Sequence, residues 1–170
     1  MSASQTTLVS SDEFRFLMSG FPSGVTVLTT TLPDGSPLGM TCSSLCGVSL
    51  DPPVLLVCVR NESPTLAAGL ECGTFAVNLL DQEAAATAEL FGSAAPDRFD
   101  RVRWESGPVA GMPHLIDDAH TVADCAVHRS EVVGDHTVLF GAVLNVRSLT
   151  SAPPSPLVHG LRRYAGWPPR

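Results

Sequence analysis

The sequence predicts a mostly β domain of the barrel or sandwich kind with a few short helices, and three observations predict it. Strand-length runs of β-branched and apolar residues follow one another along most of the chain. Turn residues separate them, with no regular alternation of strand and helix, which disfavours a doubly wound parallel sheet. The hydrophobic share is 44% against a charged share of 16%, enough apolar material for a substantial core. The 170 residues are the size of one ordinary domain, and no repeat, low-complexity tract or linker divides them. A flexible segment over 1–9 and a single domain over 10–170 are expected.

Ser10 and Glu13 form a capping-box pattern before Phe14, Leu17 and Met18, predicting a short amphipathic helix that Gly20 ends. The β-branched run 25–31 predicts a strand, and Pro33, Asp34 and Gly35 a turn into a second strand from Leu38. After Asp51, Pro52 and Pro53 break the pattern, residues 54–59 are apolar on both faces and read as a central, doubly covered strand. Ser63 and Pro64 open a short helix. Residues 75–80 form another strand, and Asp81 starts a helix over 82–91 that Gly92 stops.

The segment 93–113, rich in Gly, Pro and charge, reads as a long excursion, with Phe99 and Trp104 to pack it down. Two long strands, 121–133 and 137–146, meet at a Gly134-Asp135 turn as a hairpin. A Pro-rich loop, a short strand near Leu157 and an aromatic tail with Tyr164 and Trp167 complete the chain.

The formal net charge of -7 argues against a nucleic-acid or anionic-membrane partner, since those select clustered Lys and Arg. No apolar run approaches the roughly 20 residues of a membrane span, and no signal-peptide pattern opens the chain, so a cytoplasmic protein is expected. The five cysteines include no Cys-x-x-Cys pair and read as buried free thiols. The five histidines lack zinc-site spacing, so no metal is expected.

Neither glycine-rich nucleotide fingerprint is present, nor a Gly-x-Ser-x-Gly elbow. Three clusters could carry chemistry. Residues 39–44 crowd hydroxyls and backbone amides at a strand end, suited to a phosphate or a heterocycle edge, or simply to water. Residues 48–53 end in a stiff Asp-Pro-Pro that could face a planar ring, or be a plain rigid turn. Gly134, Asp135 and His136 lift an imidazole to the start of a strand, where it could meet a bound ring or stand free in solvent.

In this order, together with residues 21–25, residues 75–78, and Pro156, Leu157 and Tyr164, these clusters resemble the flavin reductase-like family, the reductase components of two-component flavin monooxygenases. The resemblance runs from about Phe14 to Trp167. It implies an FMN-binding split β-barrel with Greek-key connections and flanking short helices, built as a homodimer with flavin near the subunit interface. It also implies hydride transfer from NADH or NADPH to FAD or FMN, and diffusion of reduced flavin to a partner monooxygenase.

By the same resemblance, Met40, Thr41, Cys42, Ser43 and Ser44, with Val48, Ser49, Leu50, Asp51, Pro52 and Pro53, line the isoalloxazine and ribityl chain. Ser63, Thr65 and Asn78 contact the flavin chain or phosphate. His136 meets the nicotinamide, and Phe99 and Tyr164 close the site. Pro22, Phe75, Ala76, Gly134 and Asp135 lie in or beside the matching stretches and are carried over as cofactor-binding positions. Cys42 stands where alanine is frequent and His159 where an aromatic is. The competing readings are a split-barrel oxidase of the pyridoxamine phosphate oxidase type and a non-enzymatic flavin- or haem-binding barrel.

Overall fold

A computed structural model describes residues 7–168, so most of the flexible segment expected at 1–9 lies outside the described residues. Helix α1 (Ser11–Ser19) has the expected capping box: Ser10 Oγ accepts from the Glu13 N–H, and the Glu13 carboxylate accepts from the Ser10 N–H. None of its residues is buried; Phe14, Phe16, Leu17 and Met18 remain exposed. The short strand β1 (Ser23–Gly24) follows.

Strands β2 (Thr26–Thr31) and β3 (Pro37–Cys42) form the expected hairpin. The chain then makes a strand the sequence did not announce, β4 (Cys46–Leu50), which pairs with β5 (Pro53–Arg60). After α2 (Pro64–Cys72), β6 (Thr74–Leu80) and α3 (Ala85–Gly92) come β7 (Trp104–Ser106) and β8 (Pro113–Leu115), a small hairpin inside the expected excursion. The long hairpin β9 (Ala119–Val133) and β10 (His136–Ser148) precedes β11 (Leu157–Gly160) and β12 (Arg163–Gly166). No helix among the described residues is long and apolar enough to cross a membrane.

Seven strands make one antiparallel sheet in the order β3-β2-β6-β9-β10-β5-β4. Val27 and Leu28, adjacent on β2, are both buried but in different clusters, because successive strand side chains point to opposite faces. Val27 packs with Leu80, Phe91, Met112 and Leu115; Leu28 packs with Val57, Val59, Phe75 and Leu139. Strand β10 tolerates only glycine at Gly141, where a Cβ would lie 2.4 Å from the Phe75 ring.

Four expectations need correction. Strand β5 is not central: it lies beside the edge strand β4, with Val54, Val57 and Val59 buried and Leu55, Leu56 and Cys58 half-buried. A continuous apolar run does not reveal what covers its second face. Helix α3 starts later than Gln82: Asp81 is held in a β-bridge to Pro156, and residues 82–84 form a turn, closed by the Ala84 N–H on the Asp81 carbonyl, before the helix begins. The aromatic tail contains β12, held by pairing with β11.

The fourth concerns Phe75, Ala76 and Asn78, which are core residues, 1%, 0% and 0% exposed. The Asn78 amide donates to the Val27 carbonyl and Thr29 Oγ1, and its oxygen accepts from the Leu115 N–H. Its polar groups are therefore occupied in fastening β8 to the sheet, and none is left for a ligand.

Candidate active site

The strongest convergence lies at the end of β3. A cleft of about 240 Å³ is lined by Met40, Thr41, Cys42, Ser43 and Ser44 together with Cys58, Arg60 and His136. The β5–β10 register creates it, since His136 is directly paired with Arg60. Residues 40–44 and His136, both singled out from the sequence, line this one cleft; Arg60, which also lines it, was missed. The available signal was an apolar strand ending abruptly in a guanidinium.

The turn carrying His136 is fixed from three sides. Gly134 has a φ of 61°, and its carbonyl accepts from the Asn61 side-chain amide. The Asp135 carbonyl accepts from the Asn61 N–H, and Thr137 Oγ1 donates to the Asn61 side-chain oxygen. His136 Nδ1 lies 2.9 Å from an Asp135 carboxylate oxygen. That hydrogen bond from His136 holds the Asp135 carboxyl below its usual range. An ionised carboxylate only accepts, so Nδ1 carries the hydrogen of this bond, and the tautomer that makes it has its lone pair at Nε2.

The hydroxyls of the cleft divide by role. Thr41 Oγ1 donates to the Ala88 carbonyl at 2.6 Å. Ser44 Oγ accepts from the Cys58 N–H at 2.8 Å and donates to the Cys58 carbonyl at 3.0 Å, joining the segment after β3 to β5. Of the three, Ser43 alone has a hydroxyl with no internal partner among the described residues, leaving it for a ligand. Ser44→Ala is expected to leave both Cys58 backbone groups unpaired and to lower stability by about 1–3 kcal/mol, read by urea unfolding. A loss below 0.5 kcal/mol would mean that water replaces the hydroxyl at about the same free energy.

Burial pushes the Cys58 thiol up, with the neighbouring Cys42 adding to it. Cys125 is pushed up to about 12 by burial. Both rest as thiols, consistent with packing rather than nucleophilic roles.

A second groove, about 700 Å³, continues from the cleft through Met40, Thr41 and Arg60 to Ser63, Pro64, Thr65 and Arg98. Ser63 and Thr65, expected from the resemblance as flavin contacts, line this groove at the start of α2. Ser63 Oγ turns to the Met40 sulfur at 3.2 Å rather than capping the helix. Arg98, missed in the sequence because it sits in the irregular excursion, is positioned by bonds to the Gly39 and Ala95 carbonyls. Two guanidiniums beside a helix start suit a phosphate.

Other expected contacts lie elsewhere. Val48, Ser49, Leu50, Asp51, Pro52 and Pro53 form the β4–β5 hairpin at the sheet edge and do not line the cleft; Leu50 is 97% exposed. Phe99 packs edge-on against Phe91 and Trp104 behind Gly39, so it supports β3 rather than closing the site. Tyr164, in β12, lies 5.1 Å from the His159 ring, and Pro22, just before β1, packs under Gly160. Neither reaches the His136 cleft within this chain, because pairing with β11 fixes them there.

Comparison with known proteins gives one consistent result. Residues 18–168 match the model of the flavin reductase like domain. The chain is 47% identical over 161 residues to a flavin reductase (NADPH) of Lentzea aerocolonigenes, covering 95% of this chain and 92% of that one. It is 35% identical over 156 residues to the flavin-dependent monooxygenase reductase subunit HsaB of Rhodococcus jostii, covering 92% and 77%. The structure of the Streptomyces globisporus NADH:FAD oxidoreductase SgcE6 with NAD and FAD fragments superposes with a TM-score of 0.84 at 31% identity, covering 94% of this chain and 95% of that one. With its β-rich sheet and a match spanning nearly its whole length, the chain belongs to the flavin reductase like domain family.

Proposed function

We propose that this protein is an NAD(P)H:flavin oxidoreductase that reduces FAD or FMN and supplies the reduced flavin to a flavin-dependent monooxygenase. The observation that carries the reading is the single cleft where His136, Arg60 and the Ser43 hydroxyl, unpartnered among the described residues, converge. Bound flavin supplies the hydride acceptor, and the protein's task is to hold two rings at reacting distance.

The residues present fit that task. Arg60 and Arg98, with the start of α2, hold the flavin phosphate in the second groove. Ser43 hydrogen-bonds the flavin ring edge or chain. His136, its Nδ1–H anchored on Asp135, offers Nε2 to the carboxamide N–H of the nicotinamide and so orients that ring. No side chain forms a covalent bond in this scheme, in keeping with thiols that stay protonated.

The finer architecture follows the same reading. The Ser44 bridge to Cys58 supports a sheet curled into a split barrel. The bare Leu50 at the sheet edge supports a homodimer that covers it. The cysteines are all unpaired among the described residues, in keeping with a reducing cytoplasm.

The test is oxidation of NADH and NADPH by the purified protein, followed at the nicotinamide absorbance band with FAD, FMN or no flavin. Turnover that requires added flavin is expected. Absence of turnover with every pairing would overturn the reading.

A further inference from the structure

A third cavity, about 720 Å³, opens from the other side of Ser43 and Ser44. Its walls are the end of α1, the loop entering β4 and the β11–β12 turn. Met18, Phe21 and Leu45 give it an apolar lining, while Arg15, Arg162 and His159 stand around it. The turn is docked deliberately: the Leu161 N–H donates to the Ser19 carbonyl at 2.7 Å. Gly160 lies so close to Pro22 that a Cβ would meet it at 3.0 Å. These contacts bring Arg162 and Arg15 to one cavity from opposite ends of the sequence.

The charges are one-sided. No carboxylate among the described residues lines the cavity. Arg15 has only a surface ion pair with Asp12, their side chains 70% and 93% exposed, and Arg162 has no acidic partner within 4.0 Å among the described residues. An apolar wall with flanking guanidiniums suits a nucleobase carrying phosphate. A site for an unphosphorylated ribose characteristically offers a carboxylate to the hydroxyls, whereas a 2′-phosphate takes an arginine.

The two larger cavities leave the central cleft in different directions, one through Met40, Thr41 and Arg60, the other through Ser43 and Ser44. Two cofactors whose rings stack in that cleft need separate exits for their anionic tails. On the reading above, the Arg60–Arg98 groove takes the flavin phosphate, which leaves this cavity for the other tail. Resting on that reading, we infer that the cavity under α1 receives the adenosine end of the nicotinamide dinucleotide, with Arg162 and Arg15 on the ribose 2′-phosphate, so that NADPH is favoured over NADH.

The experiment is steady-state kinetics of the full chain with saturating flavin, comparing wild type, Arg162→Gln and the Arg15→Gln/Arg162→Gln double variant on both nicotinamides. The ratio of KM for NADPH to KM for NADH is expected to rise about tenfold in the double variant, the size of a lost charge-assisted contact. KM for flavin, measured in parallel, separates the two cofactors. An unchanged nicotinamide ratio, or a rise confined to the flavin KM, overturns the inference, the latter by assigning the cavity to flavin. A wild type that prefers NADH also overturns it while leaving the reductase reading intact; a wild type inert with every pairing removes both.

Discussion

Asp124→Ala is expected to lower the unfolding free energy by about 2–6 kcal/mol, the cost of stranding the buried His114 ring and unpairing the Asn145 amide at about 1–3 kcal/mol each. Asp124 and His114 both have side chains 0% exposed, with His114 Nε2 2.8 Å from the carboxylate. The other carboxylate oxygen accepts from the Asn145 amide at 2.9 Å. His114 Nδ1 already has no hydrogen-bond partner among the described residues. Removing the carboxylate would strand the whole imidazole in the core and also unpair Asn145, so the loss is larger than that of one hydrogen bond. Urea unfolding reads the effect.

Two companion variants test the cause. Asp124→Asn retains an acceptor for the ring and should lose less than the alanine variant. The apolar replacement His114→Phe/Asp124→Leu should lose less than the sum of the two single changes, because neither partner is left alone. An Asp124→Ala protein within 1 kcal/mol of wild type would mean that water reaches the pair. The consequence extends to the site, since His114 on β8 fastens the hairpin that follows the Arg98 segment.

His136→Ala is expected to reduce kcat/KM for the nicotinamide by about 10- to 100-fold, the value of one well-placed hydrogen bond to substrate. The fold should not suffer, because the Gly134–Asn61 and Asp135–Asn61 backbone contacts that hold the turn do not involve the imidazole. Flavin affinity and thermal midpoint therefore serve as controls that a structural role would move. His136→Gln, which keeps a hydrogen-bonding group, should recover part of the loss. Wild-type kinetics in the alanine variant would exclude the imidazole from nicotinamide orientation.

The local signals were legible because they depend on neighbours in sequence. The Ser10–Glu13 box, the Pro33-Asp34-Gly35 and Gly134-Asp135 turns, and the β-branched strands appear where sequence chemistry puts them. The motif order also led to the family and to both halves of the central cleft. The hydroxyl-rich segment was harder to interpret, since composition does not distinguish Thr41 and Ser44, which bond the fold, from Ser43, which does not. Asn78 was misread for the same reason: an amide in a matching stretch is equally suited to a ligand and to joining two strands.

By itself the sequence determined a mostly β domain, its main hairpins, its family, and the meeting of residues 40–44 with His136. Tertiary structure alone decided that Arg60 stands opposite His136, that Arg98 joins Arg60 from a one-turn 3-10 helix, and that Arg15 and Arg162 share a cavity. The physical reason is range: caps, turns and strand periodicity are set by residues a few positions apart. Strand register and loop docking instead bring charges together across the whole chain, and only packing chooses among the pairings that local preference permits.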